Sequence, residues 1–371
     1  MAQKKILFIT SSFARTGSEM VLWYLLKNLD TTKFTPYLFC LNKGELFDQI
    51  PSTIQKSVSY KGSKKWYKKA FRGLLKLFGI EPIGYQLKKI QEQFKADVWY
   101  VNTILIPQAH PAAKKLNINI ATHIHELLFA YTFIKAKEFK AMVDYSTTLI
   151  GCSTLTCEQL EELGHPRIKL QNSFIDQQTI KADPNKVYEL KNRLGITPKD
   201  FVWVISGTVA YMKGLNEVLQ VLSHFAKKDV KIIWLGGLLN NGLDYYVQEV
   251  ARKKYPEQLI FTGAVADDYY NYMSLANGFL SLSKEESFSL VMLEAAALGI
   301  PIVAYNVGIA KQFIKPGMGK VVDGWNVEDL VAAMKHLHEN PQQDTALLKQ
   351  SVLAFSVENQ LPKFEKLLEE L

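Results

Sequence analysis

A short apolar strand, a polar loop and an apolar helix in immediate succession constrain this chain more than any other feature. Residues 279–299 read FLSLSKEESFSLVMLEAAALG. Phe279, Leu280 and Leu282 form the strand-like run, and an apolar helix-forming run begins near Ser289. Gly299 and Pro301 supply its stop signal. Two glutamates occupy costly places in this unit. Glu286 lies in the loop, where a solvated charge is the ordinary reading. Glu294 sits between Leu290–Leu293 and Ala295–Ala297, apolar on nearly every side, so its carboxylate needs a hydrogen-bonding partner in the protein or in a ligand.

Open α/β sheets bind ligands beyond the carboxyl ends of their strands. The N–H groups and dipole of a helix that starts there favour a phosphate. Glu294, a little over one turn into the helix, is placed to accept hydrogen bonds from ribose hydroxyls, and Glu286 from a sugar. A nucleotide-sugar site fits these demands.

The run Glu286-Ser-Phe-Ser-Leu-Val-Met-Leu-Glu294-Ala resembles the Glu-x7-Glu signature of glycosyltransferase family 4, retaining enzymes of GT-B fold. Gly299-Ile-Pro301-Ile-Val-Ala-Tyr-Asn-Val-Gly308 is similar to that family's continuation. The resemblance implies an α/β fold of two facing Rossmann-like domains with an interdomain cleft. It implies donor contacts from Glu286, Ser287, Phe288, Ser289, Leu290 and Glu294. Beyond Gly308 the family's Gly-hydrophobic-Pro-Glu is replaced by Ile309-Ala310-Lys311-Gln312.

A chain of 371 residues accommodates two domains, each with its own core. At 48% hydrophobic and 22% charged residues it has the balance of a soluble globular protein. No apolar run is long enough to span a bilayer. The opening MAQKKILFIT reads as a first strand, not a signal peptide. Cys40, Cys152 and Cys157 lack metal-ligand spacing and suit a reducing cytosol.

The first half alternates strands and helices. Lys5–Thr10 reads as a strand and Glu19–Leu29 as a helix, joined by a loop containing Arg15 and Gly17. A glycine there can let backbone approach a phosphate or sugar, although a single glycine in such a loop is more often just a turn. The family carries a Gly-Gly in this loop, of which Gly17 remains. Asp97–Asn102 and Asn117–Thr122 are further strands, the second running into His123-Ile-His125-Glu126. His125-Glu126 resembles the family's His-Asp/Glu pattern, whose histidine faces the reacting sugar; His123 is the lesser candidate. Thr148–Cys152 is a strand, with Ser153 as cap of a helix over Leu155–Leu163.

Residues 61–79, KGSKKWYKKAFRGLLKLFG, hold seven basic residues and no acidic one. Tyr67, Phe71, Leu74, Leu75 and Phe78 would form an apolar stripe on a helix, the pattern of an interfacial helix on anionic lipid. Packing of that face on the domain is the alternative. No nucleic-acid module accompanies the patch, so nucleic acid is not expected as a partner.

A second α/β series starts after residue 172. Phe201–Ser206 is a strand, followed by Gly207-Thr208-Val-Ala-Tyr-Met-Lys213-Gly214. This resembles the family's Gly-Arg-Leu-x3-Lys-Gly loop, whose Arg and Lys bind the donor diphosphate. Lys213 matches; Thr208 stands where the Arg is expected, so one of two cations on the leaving group is missing. Val230–Leu235 ends in Gly236-Gly237, and Leu259–Val265 resembles the strand and turn that contact the base, with Val265 and Gly236 as backbone contacts.

The expected organisation is an acceptor-binding domain over 1–171, a donor-binding domain over 172–352, and a closing helix over 353–371 that packs back on the first. The expected function is a retaining glycosyltransferase that moves a sugar from a nucleoside-diphosphate sugar, taken as a UDP-sugar, to a glycan or lipid-linked acceptor. Its setting would be bacterial surface polysaccharide biosynthesis. His125, Lys213 and Glu286 are the expected catalytic residues. The absence of an Asp-x-Asp pair predicts no metal and no further cofactor. The enzyme would be cytoplasmic and peripheral on the inner face of the membrane through residues 61–79. Two alternatives stay open: a non-catalytic GT-B partner subunit that binds glycan, and another GT-B enzyme such as a nucleotide-sugar epimerase.

Overall fold

The computed structural model describes residues 3–60, 73, 75, 77, 81–225, 230–341 and 344–371. The chain divides into two compact units: Met1–Ile175 with Val357–Leu371, and Asp176–Ser356. Most of the basic 61–79 stretch lies outside the described residues. Of its described positions, Leu75 is buried and Leu77 exposed.

The first unit is a seven-stranded sheet in the order β3-β2-β1-β4-β5-β6-β7. Its strands are β1 (Lys4–Thr10), β2 (Phe34–Cys40), β3 (Gln55–Val58), β4 (Val98–Val101), β5 (Asn119–Ile124), β6 (Thr148–Gly151) and β7 (Ile168–Leu170). Every pairing is parallel. Such a sheet is covered by helices on both faces, so its strands are continuous apolar runs: Ile6–Ile9 and Val98–Val101 are wholly buried. β5 runs two residues further than the sequence pattern suggested. That places His123 within the strand and His125 just past its end. Ser153 caps the Thr154–Glu161 helix, its hydroxyl accepting from Thr156 N–H at 3.2 Å.

The helix Val357–Glu370 belongs to this unit. Phe364 is buried, its ring 5.7 Å from Tyr100 and 5.9 Å from His123. Glu369 and Glu370 pair with Lys33 and Lys169 at the helix end.

The second unit is a six-stranded parallel sheet in the order β10-β9-β8-β11-β12-β13. These are β8 (Phe201–Ser206), β9 (Val230–Leu235), β10 (Leu259–Gly263), β11 (Gly278–Ser281), β12 (Ile302–Tyr305) and β13 (Gly319–Val322). Trp203, Trp234, Leu280, Val303 and Met334 are among its fully buried side chains. In both sheets the strand order reverses beside the first strand of the unit, between β1 and β4 and between β8 and β11. A crevice opens at such a switch point because neighbouring connections leave in opposite directions.

Candidate functional site

In the second unit, the loops leaving β8 and β11 meet at that switch point. Gly214 (φ +82°) is pressed against the backbone of Leu282, and a Cβ there would collide with the Leu282 carbonyl. Lys284 N–H donates to Met212 O at 2.9 Å. This contact carries Lys213 to Glu286: the ammonium bonds the carboxylate as a half-buried ion pair. Gly308 (φ +58°) backs the same loop, where an added Cβ would lie 3.1 Å from Glu286 Cβ and from Phe288 O.

The helix Leu290–Ala297 opens directly behind this pair. Its N-cap residue is Ser289, in the left-handed conformation at φ +79°, with no side-chain cap on the helix. The Ser289 hydroxyl is buried (7% residue exposure) and has no hydrogen-bond partner among the described residues. A capless helix N-terminus with an unsatisfied buried hydroxyl suits an anion with several oxygens. Phe288 turns the other way: it is buried, its ring 5.5 Å from Phe355, so its side chain fills the core.

Glu294 has the partners its burial demands. It is 8% exposed. Its two oxygens accept from Tyr269 OH at 3.0 Å and Tyr270 OH at 3.1 Å. The Tyr269 hydroxyl also bonds Ser206 Oγ at the end of β8, at 2.7 Å. Sequence reasoning missed both tyrosines. The only signal was a Tyr-Tyr pair, which carries no spacing relation to Glu294.

The other expected donor residues lie in the loops that follow β8, β9 and β10. Thr208 is exposed at the start of the β8 loop. Gly236 lies against the same loop so closely that a Cβ would overlap the Gly207 carbonyl, which also accepts from Trp234 Nε1 at 3.0 Å. Val265 is half-buried in the turn after β10, its carbonyl accepting from Asp268 N–H at 3.0 Å. A second lysine, Lys284, is committed elsewhere: it pairs with buried Glu217, which also accepts from Tyr305 OH at 3.0 Å.

In the first unit the switch point gathers another polar cluster. His125 Nε2 lies 3.1 Å from Asn102 Oδ1, and Asn102 Nδ2 donates to Ser18 O at 3.0 Å. The amide is thereby oriented with its oxygen toward the imidazole, so Nε2 carries the proton. Burial pushes the His125 pKa down to about 3, keeping the ring neutral. Glu126 accepts from Thr103 Oγ1 and from His125 N–H, and burial raises its pKa to about 7. Glu19, buried in the first turn of the Gly17–Asn28 helix, takes bonds from Thr10, Thr16 and Ser18. His123 is fully buried, its ring tilted by 44° against that of His125 at 3.9 Å between ring centres, with Nδ1 bonded to Tyr100 OH. Gly17 is exposed at the mouth of the same loop.

Residues 187–351 match the family model described as glycosyl transferases group 1. The match falls within the second unit, Asp176–Ser356. That unit carries the Glu286–Glu294 signature, which resembles glycosyltransferase family 4. The chain is similar to the alpha-galactosylglucosyldiacylglycerol synthase of Streptococcus pneumoniae, 26% identical over 175 residues, covering 45% of this chain and 46% of that protein. It is similar also to the alpha-monoglucosyldiacylglycerol synthase of Acholeplasma laidlawii, 27% identical over 161 residues, covering 42% and 39%. The chain thus spans less than half the length of these curated relatives. Among solved structures, Anabaena HepE in complex with UDP and glucose superimposes with a TM-score of 0.82 at 18% identity, covering all of both chains. WaaG, a glycosyltransferase involved in lipopolysaccharide biosynthesis, gives 0.71 at 13%, covering 97% and 98%. The fold shared with these structures is GT-B.

Proposed function

We propose that the chain is a retaining glycosyltransferase that transfers a sugar from a nucleoside-diphosphate sugar, a UDP-sugar first among them, to a glycan or lipid-linked acceptor in bacterial surface polysaccharide biosynthesis. The observation that carries this reading is the Lys213–Glu286 pair set before the uncapped Ser289 end of the Leu290–Ala297 helix, with Glu294 held by hydroxyls behind it. Glu294 accepts hydroxyls in the resting chain, and ribose hydroxyls supply the same chemistry. The Ser289 hydroxyl and the first N–H groups of the helix take the diphosphate, with Lys213 as the cation. Glu286, released from Lys213, bonds the sugar hydroxyls. Catalysis then rests on orientation and on neutralising the departing phosphate. In the first unit His125 is the proposed catalytic imidazole, fixed by Asn102.

The lipid-linked acceptor draws support from the diacylglycerol glycolipids named in the relatives' descriptions and from the basic amphipathic 61–79 stretch. No described helix is long and apolar enough to cross a membrane. We propose a cytoplasmic protein, peripheral on the inner face. No divalent metal is required in this scheme, because Lys213 and the helix end supply the positive charge at the phosphates.

Thermal unfolding with UDP, GDP, ADP or CMP, for wild type and Glu294→Ala, tests the reading. A nucleotide at a hundred times its Kd adds about 2.7 kcal/mol to the native state. Stabilisation by one nucleotide, lost in the variant, supports the site; no shift with any of them rejects it. The rival, a non-catalytic GT-B subunit, draws on Thr208 in the place of the second cation. Donor turnover in the presence of acceptor decides against it.

A further inference from the structure

We infer that Ser206, Tyr269 and Tyr270 form a positioning relay for the Glu294 carboxylate, and that the two tyrosines thereby set a preference for ribonucleotide over 2′-deoxyribonucleotide donors. The inference rests on the donor reading, in which Glu294 takes the ribose hydroxyls. A glutamate carboxylate turns easily about its last side-chain bond, whose torsional wells are broad. Glu294, buried in the Leu290–Ala297 helix, is pinned against that turn. Oε2 accepts from Tyr269 OH at 3.0 Å and Oε1 from Tyr270 OH at 3.1 Å. With one donor on each oxygen, rotating the carboxylate pulls both bonds apart, so its plane is set before a ligand arrives.

The direction of each bond follows from counting donors. An ionised carboxylate only accepts, so each tyrosine gives its single O–H to Glu294. The Tyr269 hydroxyl also lies 2.7 Å from Ser206 Oγ. Having no second proton, it accepts there: Ser206 O–H donates to Tyr269, and Tyr269 O–H donates to Glu294. A hydroxyl that accepts one hydrogen bond is polarised to donate a stronger one. Ser206 is the last residue of β8, whose following loop carries Lys213. The relay therefore ties Glu294 to the strand end from which the phosphate lysine departs.

The tyrosines are seated by other groups. Asn271 Oδ1 accepts from Asp183 N–H at 2.8 Å, and Asn271 Nδ2 donates to Asp268 Oδ1 at 3.0 Å. Tyr272 OH accepts from Arg193 Nη2 at 2.6 Å, and Met273 is fully buried. These bonds hold the Tyr269–Met273 helical turn to the Pro184–Arg193 helix and its cap Asp183 without drawing on the hydroxyls that reach Glu294. A carboxylate can accept about four hydrogen bonds. A ribose diol can therefore bond both oxygens with the tyrosines in place, whereas a 2′-deoxyribose lacks one of the two donors. A fixed carboxylate plane makes that missing donor count.

Isothermal titration tests the relay. Whichever of UDP, GDP, ADP and CMP binds wild type is titrated beside its 2′-deoxy form, with wild type, Tyr269→Phe, Tyr270→Phe and Tyr272→Phe. Wild type should bind the ribonucleotide about tenfold or more tighter, as for one hydrogen bond to a charged group. Tyr269→Phe and Tyr270→Phe should each cut that ratio about threefold to tenfold, by weakening the ribonucleotide. Tyr272→Phe removes a hydroxyl from the same turn that bonds Arg193 instead, and should keep the wild-type ratio whatever it does to Tm. No preference in wild type, an unchanged or larger ratio in Tyr269→Phe and Tyr270→Phe, or an equal loss in Tyr272→Phe overturns the inference and leaves the donor reading standing. Binding of none of the four nucleotides to wild type would reject the donor reading, and the inference with it.

Discussion

Lys213 Nζ and Glu286 Oε1, 73 residues apart in sequence, are bonded across the β8–β11 switch point. Their side chains are 29% and 12% exposed, so water screens the pair only in part. The carboxylate of the pair lies three residues before Ser289, the uncapped start of the Leu290–Ala297 helix.

That relationship predicts the cost of removing the cation. Lys213→Ala should lower kcat by about 10²–10³-fold, the usual loss when one charge-stabilising donor is deleted. Transfer assays at saturating donor give the number. An unchanged kcat would show that Lys213 serves only to neutralise Glu286.

Thr208 offers the reverse test. It is exposed at the start of the loop that carries Lys213, so an arginine there adds no buried volume. Thr208→Arg should raise kcat by about tenfold, equivalent to ~1.4 kcal/mol of transition-state stabilisation. A fall in kcat, with Tm unchanged, would mean that the loop has been rebuilt around a single cation.

The basic stretch gives a prediction at the membrane. Replacing Lys64, Lys65, Lys68 and Lys69 with serine should weaken binding to anionic liposomes by on the order of 10³-fold, at ~1 kcal/mol for each charge near the surface. Liposome flotation measures it. Binding at wild-type strength would show that the stretch packs on the protein.

Acid sensitivity follows from the buried histidines. Burial lowers the pKa of His110 to about 4 and of His125 to about 3, and pushes His123 well below its ordinary 6.5. Below pH 6.5 the unfolded chain therefore binds protons that the folded chain does not, and stability falls as the pH drops toward these values. Glu126, raised from 4.5 to about 7, works against this: its folded form binds the extra proton between those values, so its contribution weakens as pH rises through that window. Three groups outweigh one. His110→Gln should flatten the slope of Tm against pH between 6.5 and 4, whatever it does to Tm itself. A wild-type slope in that variant would refute the burial argument.

Local sequence carried the two-sheet α/β plan. Apolar runs of four to seven residues marked β1, β4, β8, β9 and β11, because strands buried on both faces need no alternation. β2 escaped notice: Pro36 lies inside it, paired with Ile6, where a proline argues against an interior strand. The Glu286–Glu294 spacing and the start of the helix near Ser289 were legible because helix period and turn chemistry act over a few residues; that Ser289 leaves the helix uncapped was not. The need of Glu294 for a partner was legible too.

Which groups meet that need was decided only in three dimensions. Tyr269 and Tyr270 reach Glu294, Asn102 orients His125, and Glu217 captures Lys284 because the parallel crossovers bring strand ends together that lie far apart in sequence. Short-range hydrogen bonding and apolar periodicity set each element in the chain itself. The order in which those elements line up in a sheet is set by the packing of whole faces, and it alone chooses each side chain's neighbour.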